Sequence, residues 1–389
     1  MAFDTIVVGA GLWGSACARH LAEMGAKVAL IGPKEPAQAA THTGVFGSHY
    51  DQARITRRLD RKQDWSRFAA RSMERYGEIE SASGTQFFHA SGYLLAAPTQ
   101  GGTSDAMAEN LAVAKRDGVE HIALDSAGLK ARFPFFGFPT GIAGLFEPGG
   151  GWINPRVHVI AEITVAQARG VTLLRTEAVG IEETVQGVVV RCADGQHVAA
   201  DKVVVACGAF SKVEELLPEP LPLKVYARTT ALLEIDAAET ARLKDMPSVV
   251  YYSPDGKGDC YVLPPVSYPD GKTYLKLGGD PEDNELTDVA QMKDWFRSGG
   301  SAAVGEHLRE VLLGMIPGLS YRSVSYQSCA TSFTPRGNPL VYGQSDRIFV
   351  LAGGNGAGAK CADEMGRVAA VKLRRGDASA EGYETDFLP

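Results

Sequence analysis

Nine residues into the chain stands Gly9-Ala10-Gly11-Leu12-Trp13-Gly14, directly after the strand-like run 5–8. Glycines at this spacing between a strand and a helix let the backbone turn tightly. Its N–H groups and the positive end of the helix dipole then face a bound pyrophosphate. After the turn, Ala16, Cys17, Leu21 and Met24 recur at helical spacing, Gly25 stops the helix, and residues 27–31 read as a second strand. The pattern predicts a βαβ unit that opens a dinucleotide-binding domain. The same six residues alone also suit an ordinary glycine-rich turn; the strand, the helix and the N-terminal position favour the dinucleotide. The acidic residue that commonly ends the second strand and binds ribose hydroxyls is missing. Gly32 stands there, with Glu35 the nearest substitute.

A chain of 389 residues is long enough for two domains. With 45% apolar and 22% charged residues it has the composition of a folded soluble protein. The net charge is −7 and no Lys/Arg-rich run could track a phosphate backbone, so nucleic acid is not an expected partner. Cys17, Cys192, Cys207, Cys260, Cys329 and Cys361 are scattered without a CxxC pair. That argues against a zinc site or a disulfide scaffold and fits a reducing cytoplasm. No stretch reaches ~18 unbroken apolar residues and the start lacks a signal-like pattern, so neither export nor a membrane is expected. The eight histidines show no metal-ligand spacing, and no GxSxG or Walker motif occurs; no metal is expected.

Further along, residues 64–80 read as a helix with Trp65, Phe68, Met73, Tyr76 and Ile79 on its apolar side. Residues 171–205 return to strand character, with valine runs at 188–190 and 203–205 flanking an Asp194-Gly195 hairpin turn. Between 221 and 326 strands are expected at 226–235, 259–263 and 273–277, then helices near 288–297 and 306–315. A final strand, 348–351, runs into Gly353-Gly354-Asn355-Gly356-Ala357-Gly358 and a helix over 362–374. The second glycine turn reads either as a helix-packing turn or as another set of backbone donors. Two donor sets at opposite ends of the chain suit FAD: one can hold the pyrophosphate while the other stabilises negative charge on the reduced ring.

With these motifs the chain resembles the D-amino-acid-oxidase-like flavoproteins, and within them the monomeric sarcosine oxidase, N-methyltryptophan oxidase and fructosyl-amino-acid oxidase group. The resemblance spans nearly the whole length. It also rests on Gly47-Ser48-His49 with Arg54-Ile55-Thr56-Arg57, and on Gly149-Gly150-Gly151-Trp152-Ile153-Asn154-Pro155. It continues through Val205-Ala206-Cys207-Gly208, Leu275-Lys276-Leu277-Gly278 and the stretch 329–335. It implies an α/β fold in which a Rossmann-like FAD-binding domain of discontinuous segments (1–85, 150–218 and 330–389) joins a mixed-sheet, α+β substrate domain (86–149 and 219–329). A monomer is expected.

The resemblance also implies roles for individual residues. Gly9, Gly11, Leu12, Trp13, Gly14, Ser48, His49, Arg54, Val179, Cys207, Gly208, Gly354, Asn355, Gly356, Gly358 and Lys360 would hold the cofactor. Lys276 aligns with the lysine that promotes the reaction of reduced flavin with oxygen, where a fixed cation stabilises forming superoxide; a surface lysine is the alternative. Arg57 and Lys360 align with a pair that binds a substrate carboxylate, and Arg54 with an arginine beside the flavin. Either arginine could instead be a solvated charge. Cys329 aligns with a cysteine linked covalently to FAD, a buried noncovalent cysteine being the alternative; Cys361 is a second candidate only through its neighbour Lys360.

At the expected substrate position the chain departs from the sarcosine oxidases. Thr331 replaces an aromatic residue and Asp280 a histidine, whereas Tyr261 keeps a pocket tyrosine. The changes enlarge the pocket and add an acceptor, favouring a bulkier, more polar substrate than sarcosine. The expected activity is FAD-dependent oxidation of a small secondary amine or N-substituted amino acid, with O2 reduced to H2O2. The alternatives are a dehydrogenase passing electrons to a quinone or carrier protein, and a flavin-binding protein without turnover.

Overall fold

In the computed structural model of the chain, residues 3–99 and 102–389 are described; residues 1–2 and 100–101, which the expected segments include, lie outside the described residues. The opening unit forms as its pattern requires. Strand Phe3–Val8 runs into helix Leu12–Glu23 and returns as strand Val28–Ile31, in parallel register from Thr5↔Val28 to Val8↔Ile31. On the other side of Phe3–Val8 lies His197–Val205, and beyond it Ile348–Ala352, both parallel. Thr172–Leu174 extends the opposite edge. The strands' central residues, 6–8, 28–31 and 203–205, are apolar and buried because both faces are covered there. Val7, Leu30 and Val204 pack with Cys17, Phe68, Val159 and Met365 from four helices. Ile6, Ile31 and Val203 pack with Ala178, Val188 and Val190 from an antiparallel ribbon. The Asp194-Gly195 hairpin is present between Gly187–Cys192 and His197–Val205, with Gly195 at φ 85°.

A second, nine-stranded sheet among the described residues takes Tyr93–Pro98 and Ile142–Glu147 from one stretch of the chain. Lys224–Ile235, Cys260–Ser267, Thr273–Gly278 and Ser323–Phe333 come from another. Each large sheet is thus assembled from separated pieces. Ser323–Phe333 was not expected as a strand. It pairs with Lys224–Ile235 along its whole length, from Glu234↔Ser323 to Lys224↔Phe333, and carries the second sheet past the boundary expected at 329/330. Helices Val289–Ser298 and Ala302–Met315 form close to their expected positions, capped by the Asp288 and Ser301 side chains.

A small three-stranded sheet, Arg54–Thr56, Gly151–Ile153 and Phe88–His89, takes strands from both sets of segments. It gives the glycine run before Trp152 a physical cause. A Cβ on Gly150 would lie 2.6 Å from Tyr93 Cβ, and one on Gly151 would overlap His89 O. Asn154 then caps helix Pro155–Ala168 by accepting from Val157 N at 3.1 Å, with Pro155 in the first turn.

Candidate active site

A cavity opens at the carboxyl ends of the parallel strands, where Val8, Ile31, Ala206 and Ala352 line it; this is where such sheets receive ligands. Gly9 turns the chain at φ 111°, and a Cβ there would overlap Ala206 O, so the position takes only glycine. Helix Leu12–Glu23 begins with no side-chain cap and no acidic residue in its first turn. Its first N–H groups and positive dipole end are therefore left for a ligand anion. The second glycine turn arrives from the far end of the chain. Gly354, Gly356 and Gly358 line the same cavity as Gly9, Gly11, Leu12 and Trp13, and Trp13 Nε1 donates to Gly358 O at 2.7 Å.

Ser48, His49, Cys207 and Gly208 line this cavity as well. Burial, and then the arginines 156, 54 and 175, hold the His49 imidazole neutral with a pKa of about 3. Gly14 sits one step inside, where a Cβ would overlap Gly9 O, so it packs the helix onto the turn. Asn355 is not in the lining. At φ 46°, it braces the second turn by accepting from Thr334 N at 2.9 Å and donating to Gly353 O at 2.6 Å. Val179 is not in the lining either; Glu177 and Ala178 are. Glu35 is committed to a forked pair with Arg156, both contacts 2.7 Å. The acid at the Gly32 end is Glu177, because the strand Thr172–Leu174 pairs beside Val28–Ile31 and Gly32 N donates to Leu174 O at 3.0 Å. Unsatisfied helix donors, a turn where a Cβ would intrude and an acid beside Gly32 fit the dinucleotide of FAD.

The remaining wall carries three of the other expected residues, with Lys276 and Tyr261 behind it. Arg54, Cys329 and Thr331 line the cavity. Arg54 Nη2 donates to Ser48 O at 3.0 Å and reaches Cys329 Sγ at 3.7 Å, while Nη1 pairs with Asp51. Asp51 in turn holds Lys276 Nζ, which also donates to Ala53 O at 2.8 Å, and accepts from Tyr268 OH at 3.1 Å. Lys276 is not a surface residue: it is 0% exposed, inside strand Thr273–Gly278. Burial, and next Arg54, push its ammonium well below the usual lysine range; the Asp51 carboxylate is the contact that favours its charged form. Tyr261 faces it, with Nζ 5.5 Å from the ring, and burial lifts the phenol to about 12. The Thr331 hydroxyl oxygen is buried without a hydrogen-bond partner among the described residues.

Asp280, Arg57 and Lys360, like Lys276 and Tyr261, lie outside the cavity lining. Asp280 accepts from Thr229 N at 3.0 and 3.2 Å, and burial raises its carboxyl to about 6. Arg57 and Lys360 are brought together, but around an internal acid: Asp60 Oδ2 lies 3.0 Å from Arg57 Nη1 and 2.6 Å from Lys360 Nζ. Asp51, Asp60 and Glu177 escaped the sequence reading. The only signal for the first two was an acid three residues from an arginine, in 51–54 and 57–60. Of the cysteines, Cys207 lines the cavity near Val8, with burial pushing its thiol up to about 12; Cys361 is fully buried against Trp65 O and pushed up likewise. Among the described residues no group of His, Cys, Asp and Glu is arranged to hold a metal, and no helix is long and apolar enough to cross a membrane.

Comparison with known proteins gives the chain its family. The chain is 30% identical over 257 residues to the monomeric sarcosine oxidase of Bacillus sp. (strain B-0618), a match covering 65% of this chain and 64% of that protein. It is 24% identical over 375 residues to the N-methyl-L-tryptophan oxidase of Yersinia pestis (strain Pestoides F), covering 95% of each. Its fold is that of NikD, an unusual amino acid oxidase essential for nikkomycin biosynthesis, in its open form: TM-score 0.76 at 21% identity, over 100% of this chain and 97% of that one. The family described as DAO, FAD dependent oxidoreductase, matches residues 4–371. The chain therefore belongs to the DAO family of FAD-dependent oxidoreductases, and FAD is its cofactor.

Proposed function

We propose that this protein oxidises a carbon–nitrogen bond in a small secondary amine or N-substituted amino acid and passes the electrons to O2. The observation that carries the reading is one cavity holding both glycine turns at one part of its wall and Arg54, Cys329 and Thr331 at another, with Lys276 held behind Arg54 by Asp51. FAD, when bound, supplies the two-electron acceptor for oxidation next to nitrogen. The amine loses two electrons and two protons to become an imine. Water hydrolyses the imine to an amine and a carbonyl compound, and O2 takes up the electrons and protons as H2O2. Arg54 provides fixed positive charge in a desolvated wall, where it acts on negative charge far more strongly than in water, and Lys276, held behind it by Asp51, is the group that promotes reoxidation by O2. The Thr331 hydroxyl offers a hydrogen bond to the substrate, and Tyr261, Asp280, Arg57 and Lys360 shape its surroundings. Cys329, which lies against Arg54 on the cavity wall, is the proposed covalent attachment point.

The experiment is anaerobic bleaching of the bound flavin by sarcosine, other N-methyl amino acids, pipecolate, proline and fructosyl-valine, followed by admission of oxygen. Bleaching by one class and peroxide on reoxidation are expected; no bleaching by any amine would remove the reading. One observation favours a dehydrogenase on the same scaffold: the Lys276 ammonium is enclosed and already bound by Asp51 and Ala53 O. Slow reoxidation by O2 with fast reoxidation by a quinone would select it.

A further inference from the structure

Asp60 lies between the buried Lys360 and the half-buried Arg57. Its Oδ2 contacts Lys360 and Arg57, its Oδ1 accepts from Lys62 N at 3.1 Å, and its side chain is only 12% exposed. Lys360 is 3% exposed and also reaches Trp65 O at 3.4 Å. Arg57 donates to Leu59 O and lies over the Tyr93 ring, 4.9 Å from its centre. This triad stands beside the cavity. Lys360 follows Gly358 and Ala359, which line it, and Arg57 lies three residues beyond Arg54, which lines it too.

Burial works against the charge on Asp60, but Lys360 and then Arg57 outweigh it and hold the carboxyl below the usual carboxylate range. The acid is therefore ionised wherever the protein is folded near neutral pH. An arriving carboxylate would find the shared side of the two cations occupied by an anion tethered through the backbone three residues from Arg57, with which it must compete.

We propose that Asp60 fills the anion position between Arg57 and Lys360 from within the chain, and that the amine oxidised in the adjoining cavity carries no carboxylate docked on that pair. The substrate class is then an N-substituted amine flanked by neutral or hydroxylated groups. This rests on the amine-oxidation reading above. The buried, unpartnered Thr331 hydroxyl on the cavity wall suits the same class, since it can pair with a neutral polar group.

Two measurements on the flavin-loaded protein test it. In calorimetric titration with sodium acetate, the wild type is expected to show no binding. Asp60→Asn should bind acetate at least about tenfold more tightly, as expected when a charge-assisted contact is opened to a solute, and Asp60→Asn/Lys360→Met should lose that gain. In anaerobic flavin reduction, sarcosinamide and pipecolamide should act at concentrations no higher than sarcosine and pipecolate. Wild-type binding of acetate that disappears in Lys360→Met would overturn the proposal, whether or not Asp60→Asn folds. So would a folded Asp60→Asn without the gain, or a tenfold preference for the acids over their amides. If no amine reduces the flavin, the amine reading fails, while the acetate titrations still decide the role of Asp60.

Discussion

Gly9 shows how much one backbone angle carries. At φ 111° with Ala206 O pressed against the missing Cβ, Gly9→Ala must open the strand–helix turn that presents the N–H donors. We expect FAD affinity to fall by tenfold or more, read by equilibrium dialysis of the flavin, with little change in helix content by circular dichroism. Cys329 makes a second prediction at this scale. If it carries the cofactor, flavin stays with the chain after acid precipitation, and Cys329→Ser releases it into the supernatant. Retention of flavin by the serine variant would move the linkage elsewhere. The Gly9 turn could be read from six letters because its requirement is local. Asp51, Asp60 and Glu177 could not, since an acid acquires its role from the cations and backbone that other segments bring to it.

Elements were legible where local rules suffice. Helix Pro155–Ala168 is announced by Asn154 and Pro155, and removing its cap in Asn154→Ala should lower stability by about 1 kcal/mol, seen as a fall in melting temperature while bound flavin is kept; Asn154 also donates to Gln52 Oε1 at 2.6 Å, which sets that cost as a floor. The strand Ser323–Phe333 was missed for an equally definite reason. Its sequence, Ser-Val-Ser-Tyr-Gln-Ser-Cys-Ala-Thr-Ser-Phe, is rich in small polar residues and mostly half-exposed, so apolar alternation is weak. What makes it a strand is the unbroken ladder offered by Lys224–Ile235, a partner roughly a hundred residues away.

Across the whole molecule, the helices behind the parallel sheet are tied by a buried ion network. Arg19 contacts Glu162 at 2.6 Å and also pairs with Asp363; Arg75 reaches Asp363 and Glu364 at 2.5 Å each; His20 lies 2.9 Å from Asp363. Burial works to raise the Asp363 pKa, but His20 and Arg19 hold it below the ordinary range, so its stabilisation is present above about pH 4 and lost as the pH falls through the folded value. Burial opposes the charge on His20, yet Asp363 raises its pKa, so that contribution is present below about pH 6.5 and fades as the pH rises through the folded value. The melting temperature should drop steeply below pH 4. Asp363→Asn, which leaves buried cations unpaired, should cost roughly 3–5 kcal/mol at pH 7 and flatten that acid limb. A melting profile that is level down to pH 3 would contradict the network's role.

From its amino acids alone the chain declared a nucleotide-binding βαβ opening, a second glycine turn near residue 355, and a resemblance sufficient to name FAD. Those features are short-range, set by turn geometry, helical periodicity and the absence of a side chain at chosen positions. Folding settled which distant residues share a charge. It joined the two glycine turns through Trp13, set Glu177 rather than Glu35 at the cavity, buried Lys276 against Asp51, and put Asp60 between Arg57 and Lys360. Electrostatic partnership depends on distance and on exclusion of water, and neither exists until the sheets and helices have packed.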